Sequence, residues 1–207
     1  VMNIQIATTI IVFFGSTISL SAAGSPIHLV QSSGNITIDG KLDDPAWQEA
    51  MVFQDFKTIQ PDFGLPPSEA TTAYLTYDQS YIYFAAYCHD SQPGRIKASL
   101  SARDQVDGDD WIAFCLDADN DELSAYFFLS NPLGIQADGT LDASASPNAL
   151  LDMVWQSASR DTSDGYIVEM AIPVNNLRFA NRDTLTMGFK IARFISRKSE
   201  EDDYPEF

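Results

Sequence analysis

From about residue 34 onward the chain alternates apolar and polar positions in short runs broken by turn residues. Asn35-Ile36-Thr37-Ile38 alternates and Asp39-Gly40 closes it as a turn. Asp44-Pro45-Ala46-Trp47 carries a helix-start pattern, with Asp44 as the capping acceptor and Pro45 suited to the first helical position, so a short helix to about Met51 is expected. Ile59 to Pro67, with Pro61, Gly64, Pro66 and Pro67, reads as a loop. Strands are predicted at Ala70–Tyr77, Tyr81–Cys88, Trp111–Asp117, Ser124–Ser130, Ile135–Asp138, Asp152–Ser159, Tyr166–Ile172 and Leu185–Ile195, and one helical turn at Asn175–Phe179. In Tyr81–Cys88 both alternating faces are apolar or aromatic, which places that strand centrally in a sheet covered on both sides. Asp164-Gly165 marks a hairpin turn. With no long segment of helical period, the pattern predicts an all-β, antiparallel β-sandwich of jelly-roll or immunoglobulin-like type, with one or two short helices.

The two ends stand apart. Residues 1–23 hold no charged side chain, and the apolar run Ile10–Phe14 leads to Ser21-Ala22-Ala23, the form of a secretory signal peptide. We therefore expect a leader over 1–23, a linker over 24–33 and one domain over 34–197. Residues 198–207 are expected to be a tail or the start of a downstream region, because the chain stops at Phe207 without a turn signal.

Charge narrows the partners. Twenty-nine Asp and Glu against 12 Lys and Arg give a formal net charge of -17, a field that repels nucleic-acid phosphates and anionic membranes. Neutral ligands such as sugars, and divalent cations, remain compatible. Cys88 and Cys115 either pair as a disulfide in an oxidising compartment or stay as buried thiols.

Ile38-Asp39-Gly40-Lys41-Leu42-Asp43-Asp44-Pro45-Ala46-Trp47 is similar to the opening of carbohydrate-binding family 9-like domains. The resemblance continues in order through Tyr81-Ile82-Tyr83-Phe84, Arg103-Asp104, Asp109-Asp110-Trp111, Leu116-Asp117, Asn131-Pro132-Leu133-Gly134, Asp164-Gly165-Tyr166, Leu177-Arg178-Phe179 and Ile191-Ala192-Arg193. It covers residues 34–197 and looks closest to the subgroup found at the N-terminus of large bacterial envelope proteins. It implies a non-catalytic module binding an oligosaccharide or polysaccharide, in an exported protein that is periplasmic, outer-membrane-associated or extracellular. The tryptophan pair that holds sugars in founding members has no residue-by-residue match here.

Sugar binding needs flat aromatic faces and polar groups for hydroxyls. Trp111 is the best stacking candidate, with Trp155 and Tyr126 as further aromatics and Arg103, Asp110 and Asn131 as polar partners. For each, an ordinary strand, turn or ion-pair role competes. Asp117, Asp119, Asp121 and Glu122 put hard oxygens in one loop, a candidate structural Ca²⁺ site set against a solvated acidic turn; Asp107, Asp109 and Asp110 form a weaker group. No nucleophile elbow or zinc spacing occurs. Two alternatives to sugar binding stay open. One is a structural domain packed against a downstream membrane barrel. The other is a haem domain using His89 with Met153, Met170 or Met187.

Overall fold

The computed structural model describes residues 17–22, 25–178 and 184–205. Fourteen strands are found among them: β1 (Thr17–Ala22), β2 (Ser25–His28), β3 (Met51–Phe53), β4 (Lys57–Gln60), β5 (Thr71–Tyr77), β6 (Tyr81–His89) and β7 (Trp111–Asp117) in the first half. β8 (Ser124–Ser130), β9 (Gln136–Asp142), β10 (Pro147–Asn148), β11 (Gln156–Thr162), β12 (Gly165–Pro173), β13 (Thr184–Ile195) and β14 (Glu200–Tyr204) follow. One helix, α1 (Ala46–Glu49), and three short 3-10 turns complete the described elements. None of the described helices is long and apolar enough to cross a membrane.

The strands form two sheets. The smaller runs β11-β12-β6-β5-β3, all antiparallel. The larger runs β10-β9-β8-β7-β13, and the far edge of β13 is shared: β1 pairs parallel with Thr184–Gly188, and β14 pairs antiparallel with Ile191–Ile195. This is the predicted sandwich. The core lies where the inner positions of both sheets meet: Leu75, Phe84, Phe114, Phe128, Tyr166, Met170, Phe189 and Ile191 are buried in one cluster. Phe84 and Phe114 stack across it at 5.2 Å and 14°. Each such side chain contributes about 1.5–3 kcal/mol through burial.

β6 sits at the centre of the small sheet, and its outer face is covered. Residues 36–50 lie over Tyr83, Ala85 and Ala171, with Trp47 buried beneath them. The lid is fastened by Glu169, whose side chain is fully buried on β12. Its carboxylate accepts backbone N–H bonds from Asp39 (2.9 Å), Gly40 (2.7 Å) and Lys41 (3.3 Å), and Trp47 Nε1–H donates at 2.8 Å. Gly40 at φ +80° turns the chain so that successive N–H groups converge on one anion, and a Cβ there would meet Arg160 Cβ at 2.9 Å.

Several expectations are corrected. The Asn35–Ile38 alternation forms no strand, because its apolar residues pack on the small sheet without a pairing partner. Asp44 does not cap α1; its carboxylate accepts the Thr37 N–H at 2.7 Å. Ile59 and Gln60, at the start of the expected loop, belong to strand β4. The helical turn falls at Val174–Asn176, and Phe179 lies outside the described residues. Trp155 and Met153 precede β11 rather than alternating within it. Residues 200–204 of the expected tail instead form β14, an integral strand paired along β13, with Lys190 on Asp203 and Asp202 buried opposite Arg193 without a hydrogen-bond partner of its own among the described residues. Residues 17–22 run as β1 and 25–28 as β2, while 1–16 and 23–24 lie outside the described residues; a strand in the unprocessed chain leaves the expectation of a cleaved leader as it stood.

Candidate functional site

One end of the sandwich gathers the start of β5, β7 and β12 with the end of β6, β8 and β13. Arg193 crosses the interior there, fully buried. Its Nη1 donates to Ala70 O (3.0 Å) and Thr71 Oγ1 (2.9 Å), and its Nη2 donates to His89 O (2.6 Å), tying the large sheet to the small one. Beside it Arg197 bridges Glu69 (2.6 Å) and Asp90 (2.7 Å), and Lys198 also reaches Glu69 (2.7 Å). Burial would raise the Glu69 pKa, but hydrogen bonds from Lys198, Ser91 and Arg197 hold it at about 2.

On this end the outer face of the large sheet carries two half-buried aromatics side by side. Ile112, Phe114 and Leu116 point into the core, so Trp111, Ala113 and Cys115 point away from it. Trp111 pairs across the ladder with Phe194, and the rings lie 5.7 Å apart at 22°. The next outward pair is Ala113 opposite Ala192, two small residues that are themselves buried. On the other side Phe194 faces Glu201, and Glu201 faces Gln60, whose Nε2 donates to the Glu201 carboxylate at 3.4 Å. An apolar ring pair edged by a carboxylate and a carboxamide is what a sugar needs, with one face for C–H stacking and a rim for hydroxyls.

Of the predicted site residues, only Trp111 lies on this shelf. Asp110 and Asn131 sit at the same end but are fully buried and employed structurally. Asp110 Oδ1 accepts the Ser196 N–H at 3.0 Å, and burial pushes its carboxyl pKa up. Asn131 donates to Asp109 (2.9 Å) and accepts the N–H groups of Leu133 (3.0 Å) and Ile135 (2.9 Å), fixing the 131–135 turn. Arg103 and Trp155 pair with each other, the guanidinium 6.0 Å over the indole ring. Arg103 also holds Asp138, Gln136 and Met153 O, while Trp155 is buried edge-on to Phe128. Tyr126 packs inward toward the opposite end, where its hydroxyl accepts the Arg178 N–H at 3.2 Å. In each case the residue is held by backbone, by an opposite charge or by core packing, although Asp110 Oδ2, Arg103 Nε and Trp155 Nε1 are buried without a hydrogen-bond partner among the described residues.

Phe194, Glu201 and Gln60 are the site residues that sequence reasoning missed. A signal for Phe194 was present: it shares the parity of Ala192 and opposes Ile191 and Ile195, so it faces out.

The acidic loop does not gather as a ligand set. Asp117 Oδ2 accepts the Glu122 N–H (2.8 Å) and Asp121 Oδ1 accepts the Leu123 N–H (2.9 Å), bonds that shape the turn itself. Among the described residues no three His, Cys, Asp or Glu side chains come together to hold a metal. Asp117, Asp119, Asp121 and Glu122 thus do not converge on one point as arranged, while Asp117 Oδ1 is buried without a hydrogen-bond partner among the described residues. The haem arrangement is excluded by geometry. His89 is on the outer face of β6, stacked on Tyr87 at 4.1 Å, whereas Met153, Met170 and Met187 are inside the core. The disulfide is excluded likewise: Cys88 faces the core from the small sheet, Cys115 faces outward from the large one, and both are buried free thiols.

The "Carbohydrate family 9 binding domain-like" family model matches residues 38–203. Endo-1,4-beta-xylanase C of Paenibacillus barcinonensis is 28% identical over 164 residues, which is 79% of this chain and 14% of that protein, so the chain spans about a seventh of the relative's length. Two solved structures share the fold, both family 9 carbohydrate-binding modules from Caldicellulosiruptor kristjanssonii. The one in complex with cellotriose has a TM-score of 0.56 at 16% identity, covering 84% of this chain and 81% of that one. The one in complex with glucose has a TM-score of 0.58 at 15% identity, covering 84% and 83%.

Proposed function

This chain belongs to the carbohydrate family 9 binding domain-like family, and on that footing we propose that it is a non-catalytic saccharide-binding module whose ligand rests on the Trp111–Phe194 shelf. The observation that carries the reading is the near-parallel, half-exposed ring pair with Glu201 and Gln60 at its edge. Sugar C–H groups lie on the rings, and hydroxyls donate to the Glu201 carboxylate and accept from the Gln60 amide. The cellotriose and glucose held by the structural neighbours, and the name of the xylanase, favour a neutral β-linked glucan or xylan. Isothermal titration with cello- and xylo-oligosaccharides tests it. Trp111→Ala and Phe194→Ala are each expected to weaken binding about tenfold, roughly 1.4 kcal/mol of lost stacking. Unchanged affinity in both variants refutes the shelf.

The charge-free stretch 1–23 supports export, to the periplasm, the outer membrane or the exterior, as part of a larger protein. Cleavage after Ala23 would remove β1 and open the Thr184–Gly188 edge of β13; N-terminal sequencing of the mature protein checks it. A second reading is a structural domain that packs against a downstream domain without sugar, drawing on the half-buried Val106, Leu129 and Leu141 around the outer cluster of the large sheet. Failure of every oligosaccharide to bind, together with protection of Trp111 in a longer chain, would favour that reading.

A further inference from the structure

A cleft of about 390 Å³ opens at the same end of the sandwich and shares no residue with the shelf. One wall is Pro93 and Ile96 from the segment after β6, another is Pro132 and Leu133, and the third is Asp161 and Thr162 from the β11–β12 hairpin. The volume falls in the range of small-ligand pockets, roughly 300–1,000 Å³. Two of these walls are fixed in advance. Asn131 pins the 132–133 turn. Asp164 accepts the Tyr87 hydroxyl at 2.5 Å and lies 3.4 Å from His89 Nδ1, while Thr162 Oγ1 sits 3.2 Å from the Tyr87 oxygen. Gly165 lets β12 approach β6 so closely that a Cβ would stand 2.1 Å from Cys88 O.

Asp161 is the chemically informative wall residue. It is exposed and makes no hydrogen bond or ion pair among the described residues, whereas most neighbouring carboxylates are engaged. No Lys or Arg lines the cleft, and the chain around it carries a net charge of -17. Apolar side chains lining one cleft with an unpaired carboxylate complement a sugar ring that bears a positive charge. We infer that this cleft is a second saccharide subsite, selective for a cationic amino sugar whose ammonium pairs with Asp161. The inference rests on the reading of the protein as a saccharide binder but not on the shelf.

The test is titration of the full chain with glucosamine tetramer, its fully N-acetylated counterpart and cellotetraose, in mildly acidic buffer. The amine form is expected to bind about fivefold tighter than the other two, with the advantage fading as salt is raised. Asp161→Asn should abolish the advantage, and Trp111→Ala should leave it intact. Equal affinity for the amine and N-acetyl forms overturns the proposal, as does an unaltered preference in Asp161→Asn. Tetralysine binding as tightly as the glucosamine tetramer also overturns it, because charge alone would then suffice. Asp161-dependent amine binding without any cellotetraose binding would sink the shelf and leave the cleft standing.

Discussion

Replacing Glu169 by Gln keeps the shape of the side chain and removes its charge, and the cost can be worked from four hydrogen bonds. All four partners of Glu169 are donors: the N–H groups of Asp39, Gly40 and Lys41, and Trp47 Nε1–H. Burial raises the carboxyl pKa, and the same donors pull it back down. A carboxamide can turn only its oxygen toward acceptor duty, so its NH₂ must face either the indole N–H or the backbone cluster. One bond is lost outright, and the remainder weaken from charged to neutral, from about 1.5–3 to about 0.5–1.5 kcal/mol each. Part of that loss is offset because an amide is easier to bury than an anion. The net expectation is about 3 kcal/mol, which for a domain of this size lowers Tm by about 6–12 °C. Calorimetry of Glu169→Gln, Trp47→Phe and the double variant checks it. The double variant should cost less than the sum, since both singles remove the same indole bond. A Glu169→Gln melting point within about 2 °C of the parent would refute the view that this carboxylate fastens the 36–50 lid.

Stability should also depend on pH through β14. Burial pushes Asp202 up to about 7, helped by Glu200 and opposed by Arg193, and pushes Asp203 up to about 6 against the pull of Lys190. A carboxyl whose folded pKa exceeds its unfolded value stabilises the fold when protonated, and that contribution is lost as pH rises from about 4 to about 7. Tm is expected to be higher near pH 5 than near pH 7.5, and Asp202→Asn should narrow the gap; an equal gap in the variant counts against the assignment. Glu69, held at about 2, acts in the opposite sense: its contribution is complete above about pH 4.5 and is lost as pH falls toward about 2. Cys88 and Cys115 should resist thiol reagents in the native protein and both react after denaturation. Burial raises both pKa values, that of Cys115 to about 12. A single reactive thiol, or none, in denaturant would contradict two free cysteines.

The sandwich was legible because its central strands obey local rules. Trp111–Asp117 and Ser124–Ser130 begin and end where alternation and turn residues place them. β14 was illegible because Glu-Glu-Asp-Asp-Tyr reads as a solvated run, whereas its ladder with β13, the Lys190 ion pair on Asp203 and the burial that pushes Asp202 toward its neutral form all arise from tertiary structure. The reverse error at Asn35–Ile38 has the same root: alternation was present, but no neighbouring strand edge was available to pair it. At the site, Trp111 was identified from its sequence context. Asp110, Asn131 and Arg103 drew attention as polar groups near a loop end, yet polar residues there are as readily consumed by unpaired backbone as offered to a ligand. The partner of Trp111 came from a strand far along the chain, which no local pattern could couple to it.

Arg193 gives this architecture a mechanical property. By grasping Ala70, Thr71 and His89 from the opposite layer, it prevents the two layers from hinging apart at the end where the aromatic pair sits. A surface that cannot flex waits for its guest already shaped. Association should then proceed as a single-step encounter, with no slow rearrangement for stopped-flow to resolve.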